Sequence, residues 1–347
     1  MALEGFELTY DFGDPAAEAT ACRTSCALFD FSFLECAQIT GHRARDMIET
    51  FTGRPMAALR EGEILYALRV DFADRVKADW TVWKTGPAVF EVMSGRREDI
   101  LDLLSCSEAG ADVVDMTADR AVFAVQGPDS LEALRQIGDV SRIESLKYFT
   151  FGQTSLLDIP CTIGRLGFTG EAGFEIIVDR GRARQLWNAL SPYATAAGFV
   201  AADILRIEAG FVLFRNEFRL HVSPSEIGLE KFGRQTGAAK PAIMLASFRA
   251  DADRRSWPWQ PSSDLQRPSA LGEIAVTSAC ASIMAGEILG LGYVLAGTPP
   301  DAVLRDSTGT YRNIRLTAKP FYDTGKRRPR EPWRRLGGPL YGRLGAT

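Results

Sequence analysis

The sequence predicts an α+β fold built from several units, and three observations predict it. Strand-like and helix-like stretches follow one another irregularly, without the strict β–α repeat of a doubly wound sheet. A β-rich run, TSLLDIPCTIGRLGFTGEAGFEIIV at 154–178, is broken by four glycines in mid-chain. Near the C-terminal third, DADRRSWPWQPSSDLQRPSA at 251–270 carries three prolines and little apolar periodicity, which marks a linker or long loop. A chain of 347 residues suits roughly two or three domains. At this length about three-quarters of the unfolded surface can be buried, so core size sets no limit.

The elements follow in order. Residues 15–28 are Ala-rich with apolar residues at helical spacing, and LFDFSFLECAQITG then turns extended. Arg43 to Thr52 reads as a short amphipathic helix, its polar positions interrupted by Ala44, Met47 and Ile48. From Glu63 to Met93 the pattern is strand, charged turn at Ala73-Asp74-Arg75, strand, strand. Arg97 to Ser105 resumes a helix, and RAVFAVQGPDSLEALRQI is a strand running through Gly127-Pro128 into a helix. ARQLWNALSPYATAAG is expected as a helix with Gly198 in the C-terminal glycine position, and Asp203 to Leu213 as a second helix. Short strands are expected from the linker to Tyr322, after which KRRPREPWRR reads as a solvated basic extension in preference to a nucleic-acid contact.

Composition narrows the chemistry. Hydrophobic residues at 46% and charged residues at 24% exclude a disordered, collagenous or disulfide-framework chain. Ile274 to Gly286 is too short and too rich in Ser, Thr and Ala to span a bilayer. The opening carries Glu4, Glu7, Asp11 and Asp14 and lacks a basic start followed by an apolar run, so a cytoplasmic protein is expected. A net charge of −4 gives no global attraction to nucleic acid or to an anionic membrane. Cys22 and Cys26 lie one helical turn apart, but no second Cys or His pair completes a metal-ligand spacing, so no metal is expected. The six cysteines are expected reduced and mostly buried. With only His42 and His221 present, His-based triads are disfavoured, which leaves carboxylates and a bound cofactor to carry chemistry.

Three stretches hold the candidates. In GRLGFTGEAGFEII the glycines recur every third residue, unlike a dinucleotide fingerprint, and Glu171 and Glu175 lie among apolar neighbours. An inward Glu175 needs a partner: either an arginine, or a heterocycle edge offering two adjacent N–H donors to its two oxygens. Asp79 sits between Ala78 and Trp80, with Tyr66 thirteen residues earlier on what reads as the partner strand. There it is either a satisfied core aspartate or a carboxylate with a raised pKa. In ADILRIEAG, Arg206 either pairs with Asp203 on one helix face or points at a ligand.

These stretches together resemble the aminomethyltransferase family, the tetrahydrofolate-dependent T-protein of glycine cleavage and its demethylase relatives. CALFDFSFLECAQITG is similar to the family's G-L-F-D-x-S-H-M opening; REGEILYALRVDFADRVKADWTVWK resembles its strand–turn–strand; FAVQGPDS resembles A-L-Q-G-P. RLGFTGEAGFEI resembles R-x-G-Y-T-G-E-x-G-F-E-I, the most specific match. AADILRIEAGFVLFRNEF, VSPSEIGLEKF, LGEIAVTSACASIMAGEILGLGYV and AKPFYD resemble later family segments in the same order, so the resemblance covers nearly the whole chain. It implies a three-domain cloverleaf with a small C-terminal β-barrel-like domain, dividing as 1–45 with 115–205, 46–114 with 206–250, a linker at 251–270, the β domain at 271–323 and a basic tail at 324–347. It implies tetrahydrofolate as cofactor, with Glu175 gripping the pterin edge, Tyr66, Phe168 and Leu34 lining the site, Arg206 contacting the folate, and Asp79 as the catalytic carboxylate near N5. The implied reaction moves a methyl or aminomethyl-derived carbon from a small donor, with or without a carrier protein, and involves neither nucleic acid nor membrane. The chain departs from the family pattern at Phe33 and Leu34 (His-Met), at Asp74 to Asp79 (Gly-Gly-x-x-Asp-Asp) and at Ala202 (Arg). These changes make a small-molecule demethylase comparable to glycine cleavage itself. The rival class is a non-catalytic folate-binding protein of iron–sulfur maintenance, whose essential cysteine is missing from SEIGLEKFGRQ.

Overall fold

A computed structural model describes residues 2–3, 6–234, 240–251, 264–306 and 308–333. The elements run β1 (Ala2–Leu3), β2 (Phe6–Glu7), α1 (Pro15–Thr24), β3 (Ala27–Asp30), β4 (Glu35–Thr40), α2 (Ala44–Thr52), β5 (Ile64–Val70), β6 (Val76–Gly86), β7 (Val89–Ser94), α3 (Arg97–Ser105) and β8 (Asp112–Asp115). They continue with β9 (Arg120–Gln126), α4 (Ser130–Arg135), β10 (Phe151–Leu156), β11 (Ile159–Gly164), β12 (Gly173–Asp179), α5 (Arg180–Leu190), β13 (Thr195–Ala197), α6 (Phe199–Glu208) and α7 (Phe214–Glu217). Strands β14 (Ile243–Ala250), β15 (Glu273–Ala281), β16 (Ile288–Leu295), β17 (Val303–Asp306) and β18 (Ile314–Thr317) follow. Helices and strands are mixed across several sheets, which is the α+β class expected.

Three sheets carry the fold. One has the order β10-β11-β12-β9-β3-β13, a second β5-β6-β7-β4-β8, and β14-β16-β15-β17-β18 close into a barrel. Each open sheet covers one face with helices: Phe174, Ile176 and Val178 of β12 pack with Leu131, Leu134, Leu186 and Leu190 of α4 and α5. Ala78, Trp80 and Val82 of β6 pack with Ile48 of α2 and with Ile100 and Leu103 of α3. The period-2 alternation of strands therefore sends the remaining side chains to the opposite faces. Those inner faces share one core, in which Val122, Ala124 and Ile177 of the first sheet meet Ile64 and Trp83 of the second. Ala201, Ile204 and Leu205 of α6, Cys280 and Leu289 of the barrel, and Phe321 complete it.

The structure corrects several expectations. Strand pairing places β4, expected in the first unit, beside β7 and β8, and places β14, expected in the second, in the barrel, where it pairs along eight residues with β16. The helix expected to end at Gly198 ends at Leu190, and Gly198 is instead the residue before α6, with φ −91°. A glycine is required there because a Cβ would come within 2.4 Å of the Tyr10 carbonyl oxygen. Helix α6 starts at Phe199 and stops at Glu208, short of the expected Leu213, and residues 252–263 of the linker lie outside the described residues. The six cysteines are free thiols, all buried except Cys106. Among the described residues no helix is long and apolar enough to cross a membrane.

The basic C-terminal run is the largest correction. Its described part is built into the fold: Arg328 is buried and its Nε donates to Glu171 at 2.6 Å. Trp333 stacks on Phe174 with ring centres 5.2 Å apart, and Arg165 donates to the Glu331 carbonyl. The segment leaves the barrel, crosses the inner core at Phe321 and returns to the first sheet as a strap; residues 334–347 lie outside the described residues.

Candidate functional site

Glu175 occupies β12 opposite Gly164 on one side and Ala124 on the other. It shares its face with Ile177, so it looks into the inner core and away from α4 and α5. Its exposure is 7%, and among the described residues its carboxylate has no hydrogen-bond or ion-pair partner. Burial alone pushes its pKa up to about 7. The arginine that a structural reading required is absent. Glu171 supplies the contrast, because it pairs with Arg23 at 3.3 Å and Arg328 at 2.6 Å and is therefore a structural acid.

The glycines around the two glutamates serve close approach. The Gln126 amide donates to the carbonyls of Leu166 and Phe174 and accepts from the Thr169 hydroxyl, tying the 166–169 loop to β12. A Cβ on Gly167 or Gly173 would fall 1.9 Å or 2.6 Å from that amide, so only glycine admits the tie. Phe168, held by this loop, lies half-buried at the core edge and stacks on Phe211 with centres 6.2 Å apart.

Asp79 lies opposite Leu68 in the β5–β6 ladder, and Tyr66 pairs with Thr81. Asp79 and Tyr66 are thus diagonal neighbours on one face, close enough for an aromatic side chain to bridge. The Tyr66 hydroxyl and the Asp79 carboxylate lie close enough to act on one another. Burial raises the Asp79 pKa to about 6; the neighbouring Tyr66 hydroxyl opposes this, and the charges of Asp99 and Glu217 reinforce it. The face is shared with Trp83 and Ile64, which belong to the same inner core that Glu175 faces. Leu68 and Tyr66, the nearest neighbours of Asp79 on that face, pack instead with Phe214, Phe232 and Tyr293, so Asp79 stands where the inner core meets this second cluster. Leu34 and Tyr148 lie half-buried at the edge of that core.

Arg206 is placed differently from expectation. It is fully buried (0% exposed), and its guanidinium donates to Asp203 at 2.8 Å, Glu217 at 3.1 Å, the Phe211 carbonyl at 3.0 Å and Ser278 at 2.6 Å. With its donors so engaged, it clamps α6 and α7 to the barrel and offers no face to a cofactor. Phe33 extends an aromatic edge, meeting Phe31 at 5.7 Å and Phe199 at 6.1 Å, while Ala202 is closed into the core.

Sequence reasoning missed the residues that frame the site. Glu217, which binds Arg206 and acts on Asp79, was missed because its side-chain partners Arg206 and Ser278 lie 11 and 61 positions away. Phe232 meets Tyr66 edge-on at 5.1 Å, and Arg54 lies over the same ring at 5.2 Å and donates to the Tyr66 carbonyl. A separate cleft of about 400 Å³ lies between α5 and residues 8–12, lined by Phe12, Phe31, Phe123, Trp187 and Phe199. It contains neither carboxylate, and we assign the site by the unpartnered acid and not by cavity size.

The GCVT N-terminal domain family matches residues 2–235. An aminomethyltransferase from Streptomyces coelicolor is 29% identical over 353 residues, covering 93% of each chain. Another from Paraburkholderia phymatum is 31% identical over 263 residues, covering 73% of this chain and 70% of that one. The crystal structure of glycine cleavage system aminomethyltransferase T from Bartonella henselae superposes with a TM-score of 0.76 at 21% identity, over 93% of this chain and 94% of that one.

Proposed function

The chain belongs to the aminomethyltransferase family, and from that premise we propose that it transfers a one-carbon unit from a small donor to tetrahydrofolate, the cofactor of this family. The observation that carries the reading is Glu175, a buried carboxylate with no hydrogen-bond or ion-pair partner among the described residues. Such a group is costly to bury unless a ligand answers it, and the amino-pyrimidinone edge of a pterin offers two parallel N–H donors of matching geometry. The residues present therefore fit the cofactor. Tyr66, Phe168 and Leu34 supply the apolar and aromatic wall around it. The six-stranded unit, the five-stranded unit and the barrel form the three leaves of a cloverleaf around this interior.

Bound there, tetrahydrofolate supplies the nitrogen that accepts the carbon. Asp79, with the Tyr66 hydroxyl beside it, would hold its negative charge near that nitrogen, and so would favour a cationic one-carbon unit and could take a proton at its carboxylate. We assign methyl and aminomethyl donors equal standing as substrates, since Phe33 and Leu34 stand where family members carry His-Met. A lipoyl-carrying protein remains the donor if the chain serves glycine cleavage.

The test is an anaerobic calorimetric titration with tetrahydrofolate. Wild type should bind saturably, and Glu175→Ala should weaken binding by at least about tenfold, the worth of a charge-assisted pair. Two N–H donors favour the ionised carboxylate, so binding should lower the Glu175 pKa from about 7. Affinity should then rise between about pH 6 and 8, with proton release measurable from the heat in buffers of different ionisation enthalpy. Absence of binding by the wild type would remove the enzyme reading.

A further inference from the structure

Four cations gather around the rings of this site. Lys231 Nζ lies 4.9 Å from the centre of Phe232, the ring that meets Tyr66 edge-on. Lys326 Nζ lies 5.0 Å from the centre of Phe211, the ring that stacks on Phe168. Arg330 acts electrostatically on Tyr148, which also feels Glu175. Lys319 backs onto Gly210, whose added Cβ would meet the Lys319 Cβ at 3.2 Å. Each of the first three cations is thus one aromatic ring removed from Tyr66, Phe168 or Glu175.

Among the described residues none of the four makes an ion pair, although Arg327 and Arg328 of the same basic run pair with Glu331 and Glu171. The acids within reach are committed elsewhere: Glu217 to Arg206, and Asp323 to the backbone N–H of Arg328. The cations press on one another. Burial lowers the Lys326 pKa, and Arg330 and Lys231 lower it further, against a smaller pull from Asp323; burial likewise lowers that of Lys319, with Glu217 opposing and Lys326 adding to the effect. Lys326 and Arg330 flank the anchored Arg328 and the buried Pro329 on the strap, so the fold already holds their backbone in place. A ligand would therefore meet a positioned charge and would not have to order a loop.

We propose that Lys231, Lys326 and Arg330, with Lys319 behind them, form a carboxylate-binding rim at the mouth of the site, which takes the carboxylate end of a small ligand whose reactive end lies at Asp79. The proposal rests on the pterin reading above and adds to it the chemistry of the ligand's far end. The cations stand on two segments beside different rings, an arrangement suited to carboxylates spread along an extended molecule and not to one compact phosphate. That carboxylate has two chemical sources: the glutamyl tail of the folate, or a one-carbon donor of the N-methyl amino acid type.

The experiment uses the full chain, its Lys231→Ala/Lys326→Ala/Arg330→Ala triple variant, and Arg315→Ala on the barrel exterior as a control. Each is titrated calorimetrically with monoglutamyl tetrahydrofolate, triglutamyl tetrahydrofolate and 6-methyltetrahydropterin, which has no tail. N,N-dimethylglycine is then added to the pterin complex. If the tail is the source, the triple variant loses about tenfold or more on the tailed folates and keeps the tailless pterin within about twofold. Wild-type affinity then rises with tail length and falls with added salt. If the donor is the source, all three pterins bind both proteins alike, and only the triple variant fails to bind dimethylglycine. Either outcome supports the rim and identifies the ligand. A triple variant that matches wild type on every probe, or that loses tailless pterin equally, overturns it. Wild type that binds no pterin overturns the underlying reading instead, so the two failures are distinguishable.

Discussion

Asp79→Asn is expected to lower turnover by roughly ten- to a hundredfold while leaving tetrahydrofolate affinity nearly unchanged, the effect of removing one positioned charge or proton acceptor. The substitution keeps the shape and an acceptor oxygen beside Tyr66 but removes the negative charge. The sign of the pH dependence follows from the environment. Burial holds the Asp79 pKa at about 6, well above the ordinary aspartate value of 3.8. Below that pH the group is neutral, so wild-type turnover should show an acid limb near 6 that the Asn variant lacks. A raised carboxylate pKa also means that ionisation works against the fold, with stability given up as pH rises from about 4 through 6. Asp79→Asn should therefore fold at least as stably as wild type above pH 6, measured by thermal melting alongside single-turnover kinetics. Unchanged turnover would remove Asp79 from the mechanism, and a general loss of stability would recast it as structural.

Arg23→Ala is expected to cost about 3–5 kcal/mol of unfolding free energy, the range for removing one partner of a buried ion pair. Arg23 is buried beneath the Tyr322 ring, 3.9 Å from its centre. It joins Glu171 at 3.3 Å and Glu208 at 3.0 Å, and donates to the carbonyls of Thr169 and Leu205. Without it, Glu208 keeps only the Ser282 hydroxyl and the Ile283 N–H, and Glu171 keeps Arg328. Arg43→Ala, which removes a half-exposed pair with Glu108, should stay within about 1 kcal/mol. Urea denaturation of both variants makes the comparison; a loss below about 1 kcal/mol for Arg23→Ala would show that the network is not structural.

How much of this was legible in the sequence depended on whether the cause was local. The thirteen-residue interval between Tyr66 and Asp79 fixed their diagonal relation, because a hairpin register follows from its turn. The alternation around Glu175 placed it on the face opposite Phe174 and Ile176, and that local rule held. Arg206 and Glu175 looked equally open as ligand contacts, and only tertiary structure separated them. Arg206 meets Glu217 and Ser278 from α7 and the barrel, whereas Glu175 has no hydrogen-bond or ion-pair partner among the described residues. Gly198 misled because glycine serves both helix ends and crowded backbone, and the crowding comes from Tyr10, nearly two hundred residues away. The basic run 326–335 looked solvated because its charges dominate its composition. The acid that buries Arg328 is 157 positions upstream, beyond any local pattern.

That separation has a consequence for how the molecule is made. Glu171 is translated long before Arg328, so for much of synthesis it has only Arg23 to neutralise it. The six-stranded sheet can form early, since its strands all lie before residue 198, yet Trp333 and the rim lysine at 326 reach it only when the final segment has emerged. Contacts of such long range are the slowest to close. The nascent protein should therefore pass through a stage with its scaffold folded and its site open, and that unfinished mouth, with apolar rings uncovered, is where a chaperone would find its grip.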